Sequence, residues 1–219
     1  MSKVILITGG SSGIGRAIAT YLSSKNQYIV YGTSRDISKL SNISFIPIEL
    51  DVTSEKSISK CIDTIFEKHS KIDVLINNAG VGITGPMEEV PNIEIERHFK
   101  TNLYGPINLM KKVLPVMRKN KSGMIINITS IAGYVGTPFR SIYSAGKSSL
   151  DIISETLNME TKDFNIKVVC VAPGDYLTNI SKGRFHSPVI DGSPYENNYR
   201  SSLNKMNENI NKGANPIKV

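Results

Sequence analysis

Short apolar runs alternate with longer stretches of helical spacing along most of the chain. "VILIT" (Val4–Thr8) is a β-branched run that reads as a buried strand. From Gly13, "GIGRAIATYLSSK" places apolar side chains at Ile14, Ala17, Ile18, Tyr21 and Leu22, the spacing of one helix face. "YIVYGTS" (28–34) and "SFIPIEL" (44–50) read as the next two strands. "SEKSISKCIDTIFEKHS" (54–70) repeats Ile58, Cys61, Ile62, Ile65 and Phe66 as a helix would, and Thr53 and Ser54 before it suit a cap. The alternation continues through a strand at 72–80, helical pattern over 89–119 interrupted near Gly105-Pro106 and Pro115, a strand at 123–130, a long helix at 141–164 and a sixth strand at 166–174. Because the strands are continuous apolar runs separated by helices, they predict an α/β architecture: a parallel sheet buried on both faces. From about Ser181 the chain turns polar and rich in Asn and Ser, which predicts a loop and then one helical stretch near 194–211. No internal repeat is visible.

Composition narrows this further. At 219 residues and 40% hydrophobic content the chain can bury one substantial core, so a single domain is expected, with 1–180 as its body and 181–219 as an appended segment. Cys61 and Cys170 are the two cysteines and fall in no C-x-x-C or zinc spacing, which argues against a disulfide framework or a metal site and for a reducing compartment. The formal net charge is +7, but the lysines are spread rather than blocked, so a basic enzyme is expected rather than a nucleic-acid binder. "MSKVILIT" enters a strand without signal-peptide anatomy, and no run reaches the ~18 apolar residues of a membrane span, so a cytoplasmic setting is expected.

The first strand runs into "TGGSSGIG" (8–15). Gly9-Gly10-Ser11-Ser12-Gly13 fits the G-x-S-x-G pattern of a hydrolase nucleophile elbow. Position opposes that reading, since an elbow needs strands and an oxyanion loop before it and few residues precede Gly9 here. His69 and His98 lie in helical patterns and His186 in the polar region, so no good triad histidine follows. The alternative is a phosphate cradle. In an open α/β sheet the first strand-to-helix turn receives a pyrophosphate, because glycine lets the backbone approach and the helix N-terminus offers its N–H groups. The spacing Gly9-x-x-x-Gly13-x-Gly15 departs from G-x-G-x-x-G and is weak by itself.

Further along come "NNAG" (77–80), Asn102, Ser130, "YSAGK" (143–147) and "PGDYLT" (173–178), in that order. With the glycine loop, this ordered set resembles the short-chain dehydrogenase/reductase family over residues 3–180, and more weakly its hydroxysteroid- and retinol-dehydrogenase-like members. The resemblance implies a Rossmann-type doubly wound parallel sheet in three α/β/α layers, a nicotinamide cofactor, and a small carbonyl or alcohol substrate. It also implies a homodimer or homotetramer. By the same resemblance Tyr143 is the acid/base and Lys147 its partner, which also holds the ribose. Ser130 positions the substrate oxygen, and Asn102 holds a water for proton relay. Gly9, Ser11, Ser12, Gly13, Ile14 and Gly15 would cradle the cofactor phosphates, and Asp51 and Val52 would recognise adenine. Asn78, Ala79 and Gly80 would brace the central strands near the adenosine. Pro173, Gly174 and Thr178 would lie against the nicotinamide end.

The chemistry of the pair is consistent with that role. Tyr143 and Lys147 are four apart on a predicted helix and share a face. A free phenol, with pKa of ~10, is a poor base near neutrality, and lowering it by ~3 units needs ~4 kcal/mol of preference for the phenolate. An ammonium at ~4 Å in an effective dielectric of ~20 supplies about that much. Cofactor choice is read from the end of the second strand, ~20 residues past the glycine loop, where NAD-binding folds carry an acid for the ribose hydroxyls. Here Ser34 and Arg35 stand there, and Arg can pair with a 2′-phosphate. NADP(H) is therefore expected over NAD(H), although Asp36 would reach the ribose if the turn shifted by two residues. The stretch after Ser181 is expected to cover the substrate, with Tyr176, Phe185 and Tyr195 as apolar contacts. Asp175 stands where the family often has a small or apolar residue. Family members usually continue through a further helix and a seventh strand, whereas the sequence here stops at Val219 in "ANPIKV", which resembles the opening of that helix. The rival expectations are a catalytically idle nucleotide-sensing or scaffold protein on the same fold and, from the charge, a nucleic-acid binder.

Overall fold

β1 (Lys3–Ile7) shows how the core is divided. Its side chains alternate across the sheet, so Val4 and Leu6 enter one apolar cluster and Ile5 and Ile7 another. Both faces of one strand are thereby buried, and a continuous apolar run is the only sequence that fits. The structure is a computed structural model that describes residues 2–178 and 183–218.

Around β1 lie β2 (Tyr28–Ser34), β3 (Ile46–Glu49), β4 (Val74–Asn77), β6 (Gly123–Ile128) and β7 (Ile166–Val171). They form one parallel sheet in the order β3-β2-β1-β4-β6-β7. The order reverses between β1 and β4, and ligands of open α/β sheets bind in the crevice at the carboxyl ends of such a pair. One face is covered by α2 (Glu55–His69), α4 (Gly105–Lys119) and α5 (Ser141–Glu160), through Ile62, Leu109, Val113 and Leu150. The other is covered by α1 (Gly13–Ser23), through Ala19 and Leu22. The expected doubly wound, three-layer single domain is the architecture observed.

Several boundaries differ from the sequence expectation, each for a physical reason. The strand expected at 72–80 ends at Asn77 and that at 166–174 ends at Val171. The residues beyond, "NAG" and "PG", leave the ladder to face the crevice. The long helix ends at Glu160, and Lys162–Phe164 form a 3₁₀ turn before β7. Ser54 is the N-cap of α2, its hydroxyl accepting from the Ser57 N–H at 3.2 Å. The interruption expected near Gly105-Pro106 is instead a π turn, Lys100–Tyr104, joining α3 (Asn92–Phe99) to α4. Gly105 donates there to Lys100 O, one residue farther back than in an α-helix. Pro106 falls in the first turn of α4, directly after the π turn. Pro115 sits inside α4 on its exposed face without ending it, since water can satisfy the carbonyl it frees.

The polar C-terminal region holds a strand where none was expected. β5 (Ile83–Thr84) pairs in parallel with β8 (Phe185–His186) as a separate two-residue ladder. α6 (Glu196–Asn211) then packs down through Tyr199, which is buried and donates its hydroxyl to Thr84 O at 3.0 Å. Beyond it, Ala214 bridges to Tyr176, tying the chain's last described turn to the loop after β7. Ser181, where the polar segment was expected to begin, lies outside the described residues.

Candidate active site

The glycine loop is built by close approach. Gly9 and Gly13 have φ of 70° and 56°, the left-handed region that favours glycine. Gly15 has no room for a side chain, because a Cβ there would collide with Asn78 Nδ2 and Gly9 O. Asn78 braces the turn by donating its Nδ2 to Thr8 O at 2.9 Å and Gly9 O at 3.3 Å. Thr8 Oγ1 in turn accepts the N–H groups of Asn78 and Ala79, both at 2.9 Å. "NNAG" thus ties β4 to β1 at the crevice. α1 begins at Gly13 with no side chain capping it and no acidic residue in its first turn. Its free N–H groups form a cradle that suits a phosphate.

From this loop a cleft of about 1090 Å³ runs along the carboxyl edge of the sheet. It is lined at one end by Ser11, Ser12, Ser34 and Arg35, and at the other by Asn102, Ser130, Tyr143 and Lys147. Gly9, Gly13, Ile14, Asp51, Val52, Asn78, Ala79, Gly80, Pro173, Gly174 and Thr178 also line it. Of the residues expected to hold a cofactor or do chemistry, Gly15 alone is absent from the wall; it lies beneath it, giving the loop room. Thr178 packs over Gly13, whose Cβ would lie 3.3 Å from the threonine Cβ and Cγ2.

At the second-strand end, the Ser34 hydroxyl turns back to the next residues, donating to Asp36 O at 2.9 Å and accepting from Asp36 N at 3.2 Å. Asp36 uses Oδ1 to cap the following turn, accepting from Ser38 N at 3.0 Å and Ser38 Oγ at 2.5 Å. Arg35 is exposed on the cleft wall, and Asp36 lines the cleft beside it. Asp51 is likewise engaged locally: its Oδ1 accepts from Thr53 N at 2.9 Å and Thr53 Oγ1 at 2.7 Å, capping the turn that leads into α2.

At the other end, α5 supplies Tyr143 and Lys147 from its buried face, each 6% exposed. Lys147 Nζ donates to Ile128 O at 2.8 Å, which fixes it at the end of β6. Ser130 caps the short turn after β6, its Oγ accepting from Ala132 N at 3.2 Å. Asn102 lies in the π turn and clasps one residue from both sides: Val81 N donates to its Oδ1 and its Nδ2 donates to Val81 O, both at 2.8 Å. It therefore holds the segment after "NNAG" in place with its whole amide.

His98 escaped the sequence reading, which saw only a helix-face histidine. It is 1% exposed, stands one helical turn before Asn102 with its ring 3.4 Å from that amide, and lies with its centroid 5.8 Å from that of Tyr143. Burial, and next to it the charge of Lys147, push its pKa down to about 4. A neutral imidazole is thus packed behind the acid/base candidate; the four-residue spacing to Asn102 was its available signal. Of the three expected apolar contacts, Tyr176 lines the cleft. Phe185 instead joins the cluster around Ile83 and Val90, because β8 turns it away, and Tyr195 sets its ring against Phe139. Met206, Asn209 and Ile210 of α6 line the cleft in their place.

A glycine turn at a topological switch point, and a buried Tyr–Lys pair at the far end of the same cleft, are the arrangement expected of a dinucleotide-binding oxidoreductase fold. The chain matches the short chain dehydrogenase family over residues 3–188 and belongs to it; members of this family bind a nicotinamide cofactor. It is 39% identical over 219 residues to a 3-ketodihydrosphingosine reductase of Bacteroides thetaiotaomicron, covering 99% of this chain and 80% of that protein. It is 35% identical over 188 residues to human retinol dehydrogenase 8, covering 80% of this chain and 60% of that protein. Among solved structures it resembles a short-chain dehydrogenase from Streptomyces avermitilis, with a TM-score of 0.88 and 32% identity over 100% of this chain and 80% of that one.

Proposed function

We propose that the protein interconverts an alcohol and a ketone or aldehyde with NADP(H) in preference to NAD(H). The observation that carries this reading is the single cleft with the glycine loop and Arg35 at one end and Tyr143, Lys147 and Ser130 at the other. The loop fits the cofactor: its glycines leave a cradle that side chains would fill, and the uncapped start of α1 faces it. Gly9 to Ile14 and Thr178 would hold the phosphates, Asn78 to Gly80 and Val52 the adenosine end, and Pro173 and Gly174 the nicotinamide end. When bound, the nicotinamide supplies or takes up a hydride at the substrate carbon.

In the reducing direction Tyr143 gives its phenolic proton to the substrate oxygen, and in the oxidising direction it takes the alcohol proton. Lys147, buried one helical turn away with its Nζ held by Ile128 O, brings a positive charge to this end and would hold the cofactor ribose when it is bound. Ser130 donates to the substrate oxygen as charge builds there. Asn102 holds the Val81 backbone beside the site with both ends of its amide, so its side chain acts by positioning. The NADP preference rests on Arg35: it and Asp36 both line the cleft, but Asp36 commits its Oδ1 to capping its own turn, whereas Arg35 can pair with a 2′-phosphate. The same reading includes a cytoplasmic setting and self-association, for which exposed Ile152 and Met159 on α5 offer apolar surface.

The test is NADPH consumption with a panel of aldehydes and ketones. Tyr143→Phe is expected to lower kcat/KM by about 10²- to 10⁴-fold, and an unchanged rate would remove Tyr143 from the mechanism. For the cofactor, Arg35→Ala is expected to weaken NADPH binding about tenfold, or ~1.4 kcal/mol, and leave NADH binding unaltered in calorimetry. Equal NADPH and NADH affinity in the wild type would overturn the preference.

A further inference from the structure

Two arginines stand beside Tyr143 that no part of this chemistry employs. The Arg140 guanidinium lies over the Tyr143 ring, 4.7 Å from its centroid. It is presented by a pinned loop: Phe139 has φ of 65°, its carbonyl accepts from Gly85 N at 3.0 Å and Thr84 Oγ1 at 2.8 Å, and its ring packs 5.2 Å from Tyr199. Arg184 comes from a different segment, just before β8, with its Cγ against Gly82 and Nη1 4.0 Å from Met206 Sδ. Both side chains are half-buried and line the cleft. Burial lowers the pKa of Arg184 and the charge of Arg140 lowers it further, while the charge of Asp175 opposes the shift without reversing it. Among the described residues neither forms an ion pair with a carboxylate. Arg97, also on the wall, is already paired with Glu94 at 3.4 Å. Asp175 is the acidic side chain of this end; it is exposed and likewise unpaired. Arg140, Lys147 and Arg184 therefore face one carboxylate.

Two like charges sharing a half-buried end of the cleft repel each other, and among the described residues neither has an ion-pair partner to neutralise it. An oxyanion placed between them relieves both costs and is gripped by charge-assisted, planar hydrogen bonds. The cofactor phosphates belong at the glycine loop, at the other end of the cleft. We infer that Arg140 and Arg184 form a subsite for an anionic group of the substrate, so that the protein acts on a carbonyl or alcohol compound carrying a carboxylate or phosphate. This rests on the oxidoreductase reading for its reaction, but not for its binding.

The test has a binding arm and a turnover arm. In calorimetry with the NADP⁺ complex, 4-oxopentanoate is expected to bind and its methyl ester to bind at least tenfold more weakly. Arg140→Met and Arg184→Met are each expected to erase that difference, and Arg184→Lys to retain part of it. In turnover with NADPH, the acid-to-ester ratio of kcat/KM is expected to be at least ten in the wild type and near one in the methionine variants. Hydroxyacetone phosphate against hydroxyacetone, run in the same way, tells phosphate from carboxylate by which pair shows the larger ratio. Acid and ester that bind alike overturn the subsite. So does a methionine variant that slows both substrates equally, for then Arg140 acts through Tyr143. Anion binding that NADP⁺ abolishes also overturns it, by assigning the arginines to the cofactor. Binding without turnover of any substrate would leave the subsite standing and contradict the oxidoreductase reading instead.

Discussion

His98 shows what one buried side chain adds to a site that motifs already outline. Its imidazole is packed against Asn102, Tyr143 and Gly146, where a Cβ would come within 2.7 Å of Nε2. Folding holds its pKa at about 4 against an ordinary 6.5. Between those values the unfolded chain takes up a proton that the folded chain refuses, so stability falls as pH falls from about 6.5 to about 4 and is level above. The shift corresponds to about 3 kcal/mol at the acid end. Urea unfolding at pH 7 and pH 4 is expected to show His98→Gln losing less stability on acidification than the wild type, by up to about that amount. Equal losses would mean the imidazole does not resist protonation. The four-residue spacing to Asn102 hinted at a shared face, but the burial that sets this residue apart from a solvated helix histidine depends on α5 packing across it. Arg140 and Arg184 were hidden for the same reason: they are 44 positions apart, and only the fold brings both to one cleft.

The elements were legible in proportion to the length of their pattern. β1, β2, β6 and the long α5 announce themselves because a continuous apolar run or a sustained 3.6-residue repeat survives local exceptions. β5 and β8 are two residues each, too short for any period, and owe their pairing to α6 and Tyr199 holding the C-terminal segment down. The π turn at Lys100–Tyr104 differs from an α-helix by one inserted residue, which composition does not betray. The glycine loop was legible as a turn but not as to its cause: Gly15 matters because Asn78 and the Gly9 carbonyl occupy the space of a side chain. Gly15→Ala is accordingly expected to lower the melting temperature and weaken NADPH binding about tenfold or more, about 1.4 kcal/mol. Calorimetric affinity equal to that of the wild type would show that the loop can yield.

Across the whole molecule, the sheet's strand order places two chemically different ends on one cleft. β1 and β2 bring the phosphate turn and Arg35, while β6, α5 and the π turn bring Ser130, Tyr143, Lys147 and Asn102. The C-terminal segment closes the side through Met206 and Ile210. Neither end performs the proposed reaction without the other. The most direct measurement is therefore transfer of label: NADPH carrying deuterium at both positions on C4 of the nicotinamide, a panel of ketones and aldehydes with and without a carboxylate, and mass spectrometry of the alcohols formed. The account predicts one deuterium on the carbinol carbon with the wild type and a loss of about 10²-fold or more in its rate of appearance with Tyr143→Phe. Bound NADPH with no labelled alcohol from any member of the panel, or equal labelling by the variant, would contradict it.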